Sequence, residues 1–213
     1  APFATAERFQ NVPSAVTEGV LREHIAACPS VTTFYGVRCE GVIDNDDAGA
    51  SISALTADGE RVVVKGSYVV ACDGANSVIR ESLGIPVFGH RHFSSRVTVE
   101  FNAPGLGDLH GLGRHNQYSV FNNDIIARIL HQDAGRRWTM QVEELAPQHQ
   151  GKTKDPQALV DLAVGAHVEI TDTTVRRWRA NAFYTEKLRQ GRVFLAGDSA
   201  HATPPGALGL HQG

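Results

Sequence analysis

Two uninterrupted apolar runs, Tyr68-Val-Val-Ala-Cys72 and Val193-Phe-Leu-Ala196, constrain this chain more than any other feature. Each is of strand length, and each closes on an acid beside a glycine: Asp73-Gly74 after the first, Gly197-Asp198 after the second. A continuous rather than alternating run suits a strand buried on both faces, as in a parallel sheet covered by helices. The runs lie about 120 residues apart, whereas parallel neighbours need only about a dozen residues to connect. A large segment is therefore expected to be inserted between two strands of one sheet.

The intervening sequence has a different texture. Arg96-Val-Thr-Val-Glu-Phe101 alternates strictly, 118–121 and Trp138-Thr-Met-Gln-Val142 do so in part, and 125–130 is more continuous. Such strands belong to an antiparallel sheet with one buried face. Residues 155–164 predict a helix with Asp155 as N-cap and Pro156 at its first position, and 173–184 returns as strand. Upstream, Val16, Val20, Leu21 and Ile25 place a helix over 14–28, and 31–35 reads as a short strand. Three β-rich runs at 39–43, 51–55 and 61–64, separated by Asp/Gly-rich turns, predict an antiparallel meander, and 75–83 looks helical. The fold class is α/β with α+β character: a partial α/β domain over 1–88, an inserted antiparallel-sheet domain over 89–185, and the return of the first domain over 186–213.

Composition narrows the function. Twenty Lys and Arg against 23 Asp and Glu give a net charge of −3 without a basic run, which argues against nucleic-acid binding. The three cysteines form no CxxC pair and point to a reducing, cytoplasmic setting. No apolar stretch approaches the 18 or more residues of a membrane span. The chain starts at Ala1 rather than Met and stops at Gly213 within a Gly/Pro-rich run, so both ends read as cut.

In an open parallel sheet the carboxyl ends of the strands face the ligand crevice, where a carboxylate can accept hydrogen bonds from sugar hydroxyls. Either acid-glycine pair alone is an ordinary turn signal. Their extended context, Asp73-Gly-Ala-Asn-Ser-Val-Ile-Arg80 and Gly197-Asp-Ser-Ala-His-Ala-Thr-Pro-Pro205, resembles the DGxxSxxR and GDxAHxxPP motifs of the FAD-dependent aromatic hydroxylases. These are the single-component flavoprotein monooxygenases that include para-hydroxybenzoate and phenol hydroxylases. Motif order, separation and inserted sheet all agree with that family. The resemblance implies that Asp198, after Gly197, holds the flavin ribityl chain, and that Asp73 and Gly74 belong to the loop linked to the flavin pyrophosphate and the nicotinamide cofactor. Ser77 and Arg80 would brace that loop. Pro205, Gly206, Gly209, Leu210 and His211 would pass the isoalloxazine ring, with helix-start amides stabilising negative charge on the reduced flavin.

The resemblance further implies FAD- and NAD(P)H-dependent hydroxylation of a phenolic or polyketide-like ring by O₂ through a flavin C4a-hydroperoxide. Alternatives are a related epoxidase or reductase on a non-aromatic substrate, or a non-catalytic remnant. No catalytic side chain is assigned. The family's strand-GxGxxG-helix unit is not found, which reads as a fragment lacking that unit and the C-terminal part. The chain also departs from the family in having His211 at a usual Asn, and one or two fewer residues after Pro205.

Other patterns yield to simpler readings. Gly105-Leu-Gly107-Asp-Leu-His-Gly111 follows an alternating strand and Pro104, so a surface loop explains it better than a dinucleotide loop. His201 stands where a nucleophile elbow around Ser199 requires glycine. His90, His92, His110 and His115 lack acidic or thiol partners at metal-ligand spacing and read as solvated loop histidines; no metal is expected. Arg176-Arg-Trp-Arg179 reads as an exposed strand edge.

Overall fold

The computed structural model of the protein describes residues 12–109, 111–113, 115–133 and 136–203. In chain order the elements begin with α1 (Ser14–Ala26), then the strands β1 (Arg38–Asn45), β2 (Ala50–Leu55), β3 (Arg61–Gly66) and β4 (Val69–Ala71), and helix α2 (Val78–Ser82). The long strand β5 (Val87–Asn102) leads to β6 (Gln117–Phe121), β7 (Ile125–Asp133), β8 (Arg137–Leu145) and α3 (Pro156–Val164). Strands β9 (Thr171–Thr185), β10 (Arg189–Gln190), β11 (Val193–Leu195) and β12 (His201–Ala202) complete the described chain. It divides into two compact units, one of residues 12–31 with 95–178, the other of 32–94 with 179–203. Strands β5 and β9 contribute residues to both.

In the first unit, β5, β8, β7 and β6 pair antiparallel in that order. Alternation decides which side chains go inside: Val97, Val99 and Phe101 of β5, Ala127 and Ile129 of β7, and Trp138, Met140 and Val142 of β8 form one buried layer. Helix α3 closes it with Leu159, Val160 and Ala163, three positions on one helical face. The Asp155 carboxylate caps α3 by accepting from Ala158 N–H at 3.1 Å, as the Asp-Pro signal predicts, and Gly165 ends the helix in the left-handed region at φ 78°. The opposite face of the sheet is polar. There Glu143 pairs with Arg96 at 3.5 Å and with Arg128, and Glu100 lies 3.4 Å from Arg137 and 3.6 Å from Arg176.

In the second unit the meander β1-β2-β3 forms as expected, and β4 and β11 are parallel neighbours, with Val193, Phe194 and Leu195 opposite Val69, Val70 and Ala71. Their shared core is Ala50, Ala71, Ile79, Ile85, Val193, Leu195 and Ala200. Asn45 at the end of β1 links the meander to the β10–β11 turn, donating to Gln190 O at 2.8 Å and accepting from Arg192 N–H at 2.7 Å.

Several expectations are corrected. Residues 31–35 form no strand, and Phe34 and Tyr35 are exposed, because no neighbouring strand pairs with that backbone. Strand β4 is not buried on both faces: Val70 is 61% exposed while Ala71 is 4% exposed. Helix α2 is shorter than the expected 75–83, since Gly74 at φ 82° and the Ser77 cap delay its start. His90 and His92 sit on the exposed first half of strand β5 rather than in a loop. The α1 helix forms, but its apolar positions Val16, Val20 and Leu21 are exposed. Arg176, Arg177 and Arg179 are exposed on β9, while Trp178 is half-buried and donates to Thr98 Oγ1 at 3.0 Å.

The turn after α3 carries a pH dependence. Asp161 accepts from Val168 N–H at 3.1 Å and Gln157 Nε2 at 2.8 Å and faces His167 Nδ1 at 2.9 Å. Burial works to raise its pKa, but these hydrogen bonds outweigh it and hold the carboxyl below its ordinary value. The stabilisation is thus complete above the unfolded carboxylate pKa of about 4 and is lost as the pH falls through the lower folded value. Thermal melts across pH 3–7 should show a steeper acid loss of Tm for the wild type than for Asp161→Asn; parallel curves would contradict this role.

Candidate functional site

The parallel register brings the carboxyl ends of β4 and β11 side by side. Ala196 N–H donates to Ala71 O at 2.9 Å, so Cys72-Asp73-Gly74 and Ala196-Gly197-Asp198 leave the sheet as adjacent segments. Gly74 and Gly197 adopt φ 82° and 58°, left-handed conformations that cost a side-chain-bearing residue about 1–2 kcal/mol. A Cβ at either glycine would meet nothing within 4 Å, so the backbone there is required for its conformation and is open to approach.

Beneath this rim lies a buried polar clamp. Arg80, with a side chain 1% exposed, donates through one guanidinium nitrogen to Ser199 O at 3.0 Å and through the other to Ala75 O at 2.9 Å. Its guanidinium also sits 5.3 Å from the centre of the Phe183 ring. One side chain thereby joins the backbone of the two motif loops. Burial and the nearby Arg91 guanidinium lower its pKa, yet arginine remains protonated throughout the range in which proteins fold. Ser77 is fully buried and caps α2, accepting from Arg80 N–H at 3.0 Å, while Asp73 Oδ2 accepts from Ile79 N–H at 3.2 Å.

Ser199 has a structural part that the motif alone does not reveal. Its hydroxyl accepts from Ala196 N–H at 3.1 Å and lies 2.7 Å from Ala71 O and 2.8 Å from Ala196 O, either of which can take its proton. A side chain that is 0% exposed and saturated in this way has no geometry for nucleophilic attack. The signal available in the sequence was a short hydroxyl three residues after Ala196 at a strand end, which predicts the local bonds to Ala196 but not the one to Ala71. Asn45 had no such signal, because its partners are 145 and 147 residues away.

The expected site residues separate into three groups. Gly74 and Gly197 shape the rim. Asp73 is exposed but gives one oxygen to α2, and Asp198 is exposed with no hydrogen-bond partner among the described residues. Pro205, Gly206, Gly209, Leu210 and His211 lie outside the described residues. This donor set fits the sugar part of a dinucleotide: an ionised carboxylate only accepts, polyol hydroxyls donate, and the flanking glycine leaves the backbone uncovered. Among the described residues, no cluster of His, Cys, Asp and Glu could hold a metal ion.

Removing the clamp should loosen both loops together. Arg80→Ala leaves the buried Ser199 carbonyl and the partly buried Ala75 carbonyl without this donor and should cost about 3 kcal/mol in urea denaturation. Arg80→Lys should recover only part of that, since a single ammonium does not reproduce the guanidinium fork. Equal stability of wild type and Arg80→Ala would contradict the clamp.

Comparison with known proteins follows the same lines. Residues 3–213 match the model of one protein family, described as FAD binding domain. Aklavinone 12-hydroxylase RdmE of Streptomyces purpurascens is 36% identical over 174 residues, covering 76% of this chain and 31% of that protein. The crystal structure of a ternary complex of aklavinone-11 hydroxylase with FAD and aklavinone aligns with a TM-score of 0.72 at 30% identity, over 91% of this chain and 37% of the other. The flavin-dependent monooxygenase PieE, solved with FAD and substrate, shares the fold at a TM-score of 0.80 and 21% identity, over 92% and 35% of the two chains. The chain spans about a third of the length of the curated relatives it matches. With the two motif loops side by side and the family match running through nearly all of its length, the chain belongs to the FAD binding domain family.

Proposed function

We propose that the function is hydroxylation of an aromatic substrate, phenolic or polyketide-like, with FAD as cofactor and NAD(P)H and O₂ as co-substrates. The observation that carries this reading is the exposed Asp198 carboxylate following left-handed Gly197, at a strand end paired in parallel with the Asp73 strand. Similarity to the aklavinone hydroxylases supports the substrate class. FAD, when bound, supplies the redox chemistry by which a nicotinamide reduces it and O₂ is activated.

The chain's own residues bind and orient. Asp198 would accept hydrogen bonds from the ribityl hydroxyls, and the Asp73-Gly74 turn would hold the pyrophosphate. Arg80, Ser77 and Ser199 fix the spacing of those two segments from below. Pro205, Gly206, Gly209, Leu210 and His211 are assigned to the flavin wall on sequence resemblance. We assign 1–88 and 186–213 to the cofactor domain and 89–185 to the substrate domain. A cytoplasmic setting accords with the cysteine usage; no helix of the described residues is long and apolar enough to cross a membrane.

Two measurements test the proposal. A hydrogen bond to a charged group is worth about 1.5–3 kcal/mol, so Asp198→Ala should weaken FAD binding roughly 10- to 150-fold in a fluorescence titration. Unchanged affinity would remove Asp198 from the site. With FAD, NADPH or NADH, and ¹⁸O₂, turnover of aklavinone or 4-nitrophenol should place one labelled oxygen on the ring. Flavin reduction without a labelled product across a panel of phenols and polycyclic aromatics would overturn the hydroxylase reading.

A further inference from the structure

A second cavity lies wholly within the first unit and shares no residue with the rim on β4 and β11. Its volume is about 450 Å³, within the range of small-molecule sites, and it opens where the β5–β6 connection passes the ends of β7 and β8. One wall is a chain of rings. His115 meets Tyr118 edge-on at 5.9 Å, Tyr118 tilts against Trp138 at 6.2 Å, and Trp138 meets His131 edge-on at 6.1 Å.

Each ring is pinned. Trp138 is 2% exposed and donates from Nε1 to Ala103 O at 3.1 Å. The Tyr118 hydroxyl donates to Gly113 O at 2.8 Å and accepts from His115 N–H at 3.0 Å. His115 Nε2 is 2.8 Å from Leu112 O, and His131 Nε2 is 3.2 Å from Asn116 Oδ1. A ligand entering here meets rings already fixed in place, so little side-chain freedom is lost on binding.

Charge selects the ligand. Arg136 lines the same cavity and is exposed, and its guanidinium has no partner among the described residues; its main chain is engaged, the N–H with Asp133 and the carbonyl accepting from Ala103 N–H at 3.0 Å. Planar guanidinium groups match carboxylates through two parallel hydrogen bonds. Asp108 also lines the cavity, so the sign of the preferred ligand is a sharp question. We propose that this cavity binds a small planar aromatic carboxylate, its ring against Tyr118 beside the nearly buried Trp138 and its carboxylate on Arg136. The site stands on this geometry and does not depend on the hydroxylase reading.

Benzoate and benzamidine are nearly isosteric and opposite in charge. In the full chain carrying Trp178→Phe, Trp138 is the only tryptophan left, because the sequence has two. Benzoate should quench its fluorescence saturably at constant ionic strength, benzamidine should not, and adding Arg136→Ala should raise the benzoate Kd at least tenfold. Arg136 is exposed, so that variant keeps its fold, which circular dichroism checks. Should Trp178→Phe fail to fold, saturation-transfer NMR of benzoate on the wild type and on Arg136→Ala gives the same comparison. Absence of saturable benzoate binding, equal binding of benzamidine, or an Arg136→Ala affinity equal to wild type each overturns the proposal.

Discussion

The described site depends on one buried guanidinium. Arg80 holds the Ser199 and Ala75 carbonyls at 3.0 and 2.9 Å while its own main chain is part of α2. A charge this deep is costly unless hydrogen-bonded, and here two backbone carbonyls, an aromatic face and the Glu81 carboxylate at 3.9 Å share it. The consequence is mutual dependence. The loop after β4 and the loop after β11 share this one donor, so a change in either is felt by the other.

Around that clamp the polar side chains divide their work by depth. Ser77 and Ser199 are 0% exposed and spend their oxygens on backbone groups, whereas Asp198 is exposed and keeps its carboxylate available among the described residues. Asp73 stands between the two, with one oxygen on Ile79 N–H. Conserving hydroxyl volume at Ser199 therefore matters to strand pairing, and carboxylate chemistry at Asp198 matters to what approaches from outside. The first unit follows another logic: a continuous apolar layer under α3 and a facing layer of arginines and glutamates on the same sheet.

Much of this was legible because local chemistry decided it. The Asp155-Pro156 start of α3, the three-strand meander and the two apolar runs that become β4 and β11 each rest on signals within a few residues, and the shared style of the two runs points to their pairing. What escaped was decided at long range. Residues 31–35 have the composition of a strand but no partner, and strand propensity without a partner leaves no ladder to form. Val70 belongs to an apolar run yet faces outward, because the run's length fixes a strand but not what covers each face. The Asn45 bridge and the carbonyls chosen by Arg80 depend on where distant backbone ends up, which periodicity does not encode.

The Arg80–Ser199 and Ser199–Ala71 bonds span 119 and 128 residues. Closing so long a loop costs entropy that grows with the logarithm of its length, and it is repaid only when both ends are in place. The insert between them is rich in short-range antiparallel hairpins, which close smaller loops and form sooner. Once the hairpins of the insert are in place the effective loop between the two halves of the rim is shorter, which lowers the entropic cost of bringing them together. The rim is therefore incomplete until Ser199 has been joined to the chain, because its carbonyl and hydroxyl are the partners of Arg80 and Ala71.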